Sequence, residues 1–169
     1  MNPLRACAAA WTAAFAMALA GCAALAPPAA PAPTLASAMG PWSGRLSLSV
    51  PDQPNGSFAA SFELKGTPQQ GELALFTPIG STLGVVQWEP GRAVLRSGSR
   101  ATDYPSLDEL ITQVAGTPIP VAALFDWLRG VETPVPGWLP NLAQAGQGRI
   151  SAQRFDPPPQ ADLRVILER

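Results

Sequence analysis

The chain has no histidine, and Lys65 is its only lysine among 169 residues. Without imidazole the usual Ser-His-Asp and Cys-His arrangements cannot be assembled, and zinc and haem sites lose their commonest nitrogen ligand. Thiols are equally scarce. Cys7 sits inside an apolar N-terminal stretch and Cys22 closes it, so the rest of the chain has no cysteine pair and must be held by packing alone. Lys+Arg total 11 against 12 Asp+Glu, which gives neither the basic footprint of a nucleic-acid binder nor an acidic tail. Glycine-rich phosphate loops are missing too: Gly98-Ser99-Arg100 reads as a polar turn, and Asp156 before three prolines reads as a turn residue rather than a calcium ligand. Glu63, Glu72 and Glu89 fall on opposite strand faces or beside turns, so no two make an acid/base pair. These gaps argue against an enzyme, a periplasmic lipid-modifying one included, and no cofactor or metal is expected.

Among the features present, the N-terminus is the sharpest. Arg5 precedes an apolar stretch, Ala8 to Leu19, that is too short for a comfortable transmembrane span, and Leu19-Ala20-Gly21-Cys22 follows. This quartet resembles the bacterial lipobox, which implies cleavage after Gly21 and acylation of Cys22. The alternative is an ordinary secretory signal cut near Ala20, with Cys22 a free thiol. In lipoproteins of this kind the residue after the cysteine is read in sorting, and Ala23 in place of aspartate implies the outer membrane. Removing the first 21 of 169 residues leaves 148, enough for one domain. The expected organisation is a signal peptide over 1–21, a lipidated Ala/Pro-rich tether over 22–41 and a single domain over 42–169. In the tether, closely spaced prolines from Pro27 to Pro33 favour an extended segment that supplies reach.

From Trp42 the periodicity is two. Leu46, Leu48 and Val50 alternate with serines, and Phe58, Ala60, Phe62 and Leu64 repeat the pattern after a turn over 51–56, so a hairpin is expected. Further strands are predicted over 72–76, 83–88, 92–96, 149–155 and 163–167. The period changes after Tyr104. Ser106 and Glu109 make a capping box, with Leu107, Leu110, Ile111 and Val114 on one helical face and Gly116 as terminator. A second helix is predicted over 121–129, ended by Gly130, and residues 131–140 read as loop. Two apolar-faced helices inside a strand-rich chain must cover either the face of an open sheet or the mouth of a barrel. The last strand nearly reaches Arg169, so trimming the C-terminus should damage a sheet edge.

Phe58, Phe62, Phe76, Trp88, Phe125 and Trp127 supply volume, and periodicity cannot tell a residue facing a solid core from one facing a hydrocarbon ligand. Between two strands lies Thr77-Pro78-Ile79-Gly80-Ser81-Thr82, where proline and glycine flank a single branched hydrophobe. Such a turn can hold Ile79 outward, towards lipid, or fold it back as a plug.

The ordered set of Trp42 with Gly44-Arg45, the aromatic strand around Phe58 and Phe62, Leu75 to Thr82, Gly116-Thr117-Pro118-Ile119-Pro120-Val121, Leu124, and Trp127-Leu128-Arg129-Gly130 resembles the LolB family of outer-membrane lipoprotein receptors. The resemblance implies a mainly β fold with α elements: an incomplete antiparallel β-barrel, a strongly curved sheet covered by short helices and enclosing an apolar cavity. It also implies a non-enzymatic role, in which acylated client lipoproteins arrive from a LolA-like periplasmic carrier and pass to the inner leaflet of the outer membrane. On that reading Cys22 is the lipid anchor. Pro78, Ile79 and Gly80 form the membrane-delivery loop, and Phe58, Phe62, Leu75, Trp88, Leu110, Val114, Leu124, Trp127 and Leu128 are candidates for the cavity or its lid. The partners implied are the carrier, client lipoproteins and a phospholipid membrane, with the protein a monomer. The competing reading is a lipoprotein with a solid barrel that serves as a scaffold or assembly subunit. After Gly130 the pattern departs from longer family members, so a shorter or more open sheet is expected, with Trp138 not assigned to a strand.

Overall fold

A computed structural model describes residues 41–51, 53 and 56–168. The expected signal segment, the anchor Cys22 and the tether as far as residue 40 lie outside them. Nine strands follow in the order β1 Trp42–Ser49, β2 Ser57–Gly66, β3 Gly71–Phe76, β4 Thr82–Glu89, β5 Arg92–Ser97, β6 Arg100–Tyr104, β7 Trp138–Asn141, β8 Arg149–Arg154 and β9 Ala161–Leu167. Between β6 and β7 come two helices, α1 Leu107–Ala115 and α2 Val121–Leu128. All strands join one antiparallel sheet in the spatial order β6-β5-β4-β3-β2-β1-β9-β8-β7. The two outer strands, β6 and β7, do not pair with each other among the described residues, so the sheet is open rather than a closed barrel.

Alternation decides which face is buried. Leu48, Ala60, Phe62, Leu64, Val86, Trp88, Ile150, Ala152, Leu163 and Val165 point to one side and are buried there, while their neighbours along each strand are more exposed. Both helices lie on that side. In α2 Phe125 meets Trp42 and Trp88 edge-on, at centroid distances of 5.5 and 6.5 Å, which ties the helix to β1 and β4. Trp127 is fully buried, packs on Trp138 and donates its indole N–H to the Thr133 carbonyl at 3.0 Å, so no polar cost accompanies its burial. Each such side chain contributes roughly 1.5–3 kcal/mol of hydrophobic stabilisation.

The helix signals act as local chemistry requires. Ser106 Oγ accepts the Glu109 N–H at 3.1 Å, one half of the capping box, and Gly116 ends α1 in the left-handed region at φ 70°. At the end of α2 the Trp127-Leu128-Arg129-Gly130 segment forms a structural knot: Gly130 N–H returns to the Trp127 carbonyl and Val131 N–H to that of Asp126. The Asp126 carboxylate receives the Thr133 hydroxyl at 2.6 Å and pairs with Arg129. The Thr133 hydrogen bond, assisted by Arg129 and opposed by partial burial, holds the Asp126 carboxyl below its ordinary value.

Two strands differ from the sequence expectation. Residues 100–104 form β6, although Arg100-Ala-Thr-Asp-Tyr shows no apolar alternation; as an edge strand it is exposed along most of its length. Trp138, expected in a loop, begins β7 and pairs with Arg154. Pro140 is tolerated there because β7 is the other edge of the sheet. The segment after α2 therefore adds three strands to the sheet, not two.

Candidate apolar rim and concave floor

The β3–β4 connection is a turn fixed by its own backbone. Gly80 N–H donates to the Thr77 carbonyl at 2.9 Å, Thr77 N–H to the Ser81 carbonyl at 2.8 Å, and Ser81 N–H to the Thr77 hydroxyl at 3.0 Å. Pro78 and Ile79 occupy the two central positions, and Gly80 takes φ 85°, which an L side chain adopts only with strain. At its base the pairing shifts register, since Leu75 faces Gly84 while Phe76 faces Thr82, leaving Leu83 as the extra residue of a bulge. The turn thus aims Ile79 into solvent, where it is 88% exposed. It does not fold back as a plug.

Three further apolar side chains gather at this end of the sheet. Phe58 has the inward parity expected of it, but β2 outruns β3, so its first residues pair only with β1 and Phe58 is left 40% exposed. Leu83 is also partly exposed. The last turn of α1 reaches the same end, because Gln53 in the β1–β2 turn donates its amide to the Gly116 carbonyl at 2.8 Å. Val114, in that last turn, is consequently 59% exposed although it shares a helical face with Leu110. Phe58 and Val114, expected at the cavity or its lid, stand at the rim, each placed where its element runs past its cover.

Beneath α1 and α2 the concave floor is apolar. Phe62, Trp88, Leu124 and Leu128 of the expected set line a cavity there, joined by Phe125 and Val121 among others. Leu110 and Trp127 are buried but pack into the core instead of lining it, and Leu75 is half-buried at the border of the core. The cavity measures only about 80 Å³, well below the roughly 300–1,000 Å³ of ordinary ligand sites. The lining is apolar, and the helices leave little space between themselves and the sheet.

Sequence reasoning missed Arg154. It lies buried at an inward position of β8, donating one guanidinium nitrogen to the hydroxyl of the fully buried Thr117 at 3.1 Å and to the Pro159 carbonyl at 2.8 Å. Together with the Gln53–Gly116 bond it fastens the α1–α2 connection to the sheet. The Gly116-Thr117 pair was visible as a motif; its partners, more than thirty residues away, carried no local signal.

A family model described as outer membrane lipoprotein LolB matches residues 41–156. The chain is 32% identical over 122 residues to the outer-membrane lipoprotein LolB of Chromobacterium violaceum, covering 71% of this chain and 66% of that protein. It is 32% identical over 115 residues to that of Bordetella petrii, covering 66% and 56%. Against the Bordetella pertussis protein the identity is 46% over 61 residues, covering 34% and 30%. The matched stretch thus spans two thirds or less of each relative's length.

Proposed function

Because the chain belongs to the LolB family, we propose that it is an outer-membrane lipoprotein, anchored through acylated Cys22, that accepts acylated lipoproteins from a LolA-like periplasmic carrier and releases them into the inner leaflet of that membrane. The observation that carries this reading is Ile79, an 88% exposed hydrophobe on a turn whose hydrogen bonds leave it no way back to the core. Fully desolvating it is worth about 1.5–3 kcal/mol. That is too little to hold a protein on a bilayer but enough to bias a loop into one.

The mechanism follows from cost. Each buried methylene is worth about 0.8 kcal/mol, so releasing two or three long acyl chains into water would forfeit tens of kcal/mol. A workable path passes the chains from one apolar surface to another without full exposure. The inward sheet residues Phe62, Leu64, Trp88, Leu163 and Val165, facing Leu124, Phe125 and Leu128 on the underside of α2, offer such a surface once α1 and α2 move off the sheet. The exposed Phe58 and Val114 extend that surface to the end of the sheet that carries the Ile79 turn. With no fuel in the scheme, each transfer must run downhill, from carrier to receptor to bilayer.

The scaffold reading draws support from one observation, the small volume left beneath the helices. Both readings meet the same assay. A carrier loaded with a labelled lipoprotein is mixed with the full chain bearing Cys22→Ser, and liposomes are added afterwards. Acceptance followed by delivery is the expected result. Failure of a folded protein to accept from a competent carrier overturns the transfer reading in favour of the scaffold. A disulfide engineered between α1 and the sheet should block acceptance and restore it on reduction; undiminished acceptance while oxidised would remove the moving lid.

A further inference from the structure

The outer face of β8, β9 and β1, turned away from the helices, carries a second feature. A groove of about 390 Å³ is lined by Arg149, Arg164, Ser151, Asn141, Gln144 and Ile166, with no carboxylate in the lining. Strand register places Arg149 and Arg45 on either side of Ile166, and Arg164 two residues from Ile166 along β9. Arg45 and Arg149 are thus two strand spacings apart, about 10 Å, and Arg164 is about 7 Å along the strand from the row they share. All three arginines are exposed, and among the described residues no ion pair or side-chain hydrogen bond engages them. Two carboxylates share the outward parity of β9, Asp162, which is bonded by the Gln153 amide at 2.8 Å, and Glu168 just past the strand end; among the described residues neither is in ion-pair contact with the three arginines.

Three cations with no carboxylate in direct contact repel one another, and an anion seated between them relieves that repulsion. Guanidinium forks match the oxygens of a phosphate ester. Ser151 offers a hydroxyl, and Asn141, whose amide oxygen accepts the Ala143 N–H, keeps its NH2 group to donate. Ile166, half exposed in the middle of the cluster, gives an apolar contact that a lone phosphate ion would not use. The row Arg149, Ile166, Arg45, Ser61, Phe76 runs across the outer face to the base of the Ile79 turn. Its four strand spacings amount to about 19 Å.

We propose that this groove binds the phosphodiester headgroup of an anionic phospholipid, setting the outer face of β8, β9 and β1 against the bilayer from which the Ile79 turn is also within reach. The site is independent of acyl transfer, because it needs only a lipid surface. The test is sedimentation of the full chain bearing Cys22→Ser with phosphatidylcholine vesicles, made with and without phosphatidylglycerol. Binding should require phosphatidylglycerol and weaken with salt. The double variant Arg149→Gln, Arg164→Gln should bind about 30-fold more weakly, from two arginines at an anionic surface. The charge-matched pair Arg96→Gln, Arg100→Gln, on β5 and β6, should change binding far less. Equal loss in both pairs would reduce the effect to net charge and overturn the site. Binding of inorganic phosphate that depends on Arg149 and Arg164, without vesicle binding, would overturn the lipid source and leave a site for free phosphate. The substituted residues are exposed, so circular dichroism should report an unchanged fold for both variants.

Discussion

The core between α2 and the sheet and the rim at the Ile79 turn are built from the same kinds of residue and use them in opposite ways. Phe125 and Trp127 on α2 are 1% and 0% exposed, whereas Ile79 on the β3–β4 turn is 88% exposed. In the core the side chain is satisfied and the backbone follows it: Trp127 finds an apolar shell and an acceptor for its N–H, and α2 is placed by that fit. At the rim the backbone is satisfied first, by three hydrogen bonds within the turn, and the side chain is left over. A hydrophobe that contributes nothing to stability where it stands is available for an intermolecular task. Substitutions should therefore divide cleanly, with core changes altering stability and rim changes altering only what the folded protein does.

The hardest test of that division is Trp127→Ala. It removes a fully buried indole and its hydrogen bond to Thr133 together, and should cost about 3–5 kcal/mol. Urea unfolding followed by circular dichroism would read this as a large drop in midpoint at nearly unchanged slope. A loss under 1 kcal/mol would mean that α2 is not held by its aromatic face. Gly137→Ala comes next. Gly137 lies just before β7 at φ 77°, and a Cβ there would collide with the Asp156 carbonyl. Strain and displaced backbone together should cost about 1–3 kcal/mol. The same measurement would also show whether the Trp138 edge strand is integral to the sheet, since a neutral result would mean that β7 can detach.

A smaller and pH-dependent effect is expected at Asp126. Its carboxyl titrates below the ordinary 3.8 in the folded protein, chiefly because of the Thr133 hydroxyl. A lowered folded value means that the stabilisation is fully present above the unfolded value and is lost as pH falls through the folded one. Asp126→Asn should thus cost roughly 0.5–1 kcal/mol at pH 7, and the difference from the parent chain should shrink below about pH 4. A deficit that stayed constant down to acid pH would show that packing, not the carboxylate, locks the end of α2.

The sequence makes the floor more legible than the rim. Phe62, Trp88, Leu124 and Leu128 are readable because strand and helix periods mark an inward face. Phe58 and Val114 obey the same periods and are exposed all the same, since period gives direction but not where the cover ends. That limit depends on the relative lengths of β2 and β3 and on where α1 meets the β1–β2 turn. The edge strands escaped for a related reason. β6 has neither face buried, and β7 carries Pro140, so neither shows the alternation that reveals a central strand. Arg154 breaks the pattern outright by placing a charge at an inward position, and its burial becomes intelligible only beside Thr117 and Pro159. The Thr77 to Ser81 turn is the exception among rim features. Its proline and glycine write the turn into the local sequence, and only the direction of Ile79 was left open.

That direction supplies the smallest expected effect on stability and the cleanest separation of the two regions. Ile79→Asp exchanges one solvent-exposed side chain for another, with no atom within 4 Å of a Cβ at the neighbouring Gly80, and should change unfolding free energy by no more than about 0.5 kcal/mol. If the turn meets lipid during delivery, the same change places a carboxylate where an apolar group was desolvated. Client acceptance from the carrier should stay intact while release into liposomes falls at least tenfold, because the lost burial of about 1.5–3 kcal/mol is joined by the cost of dehydrating a charge. Ile79→Leu should preserve delivery and Ile79→Ala should fall between, which ties the effect to apolar area rather than to the shape of the turn. Loss of acceptance and delivery in equal measure would assign Ile79 to the carrier contact instead, and an unchanged rate for the aspartate variant would leave the exposed hydrophobe without a part in transfer.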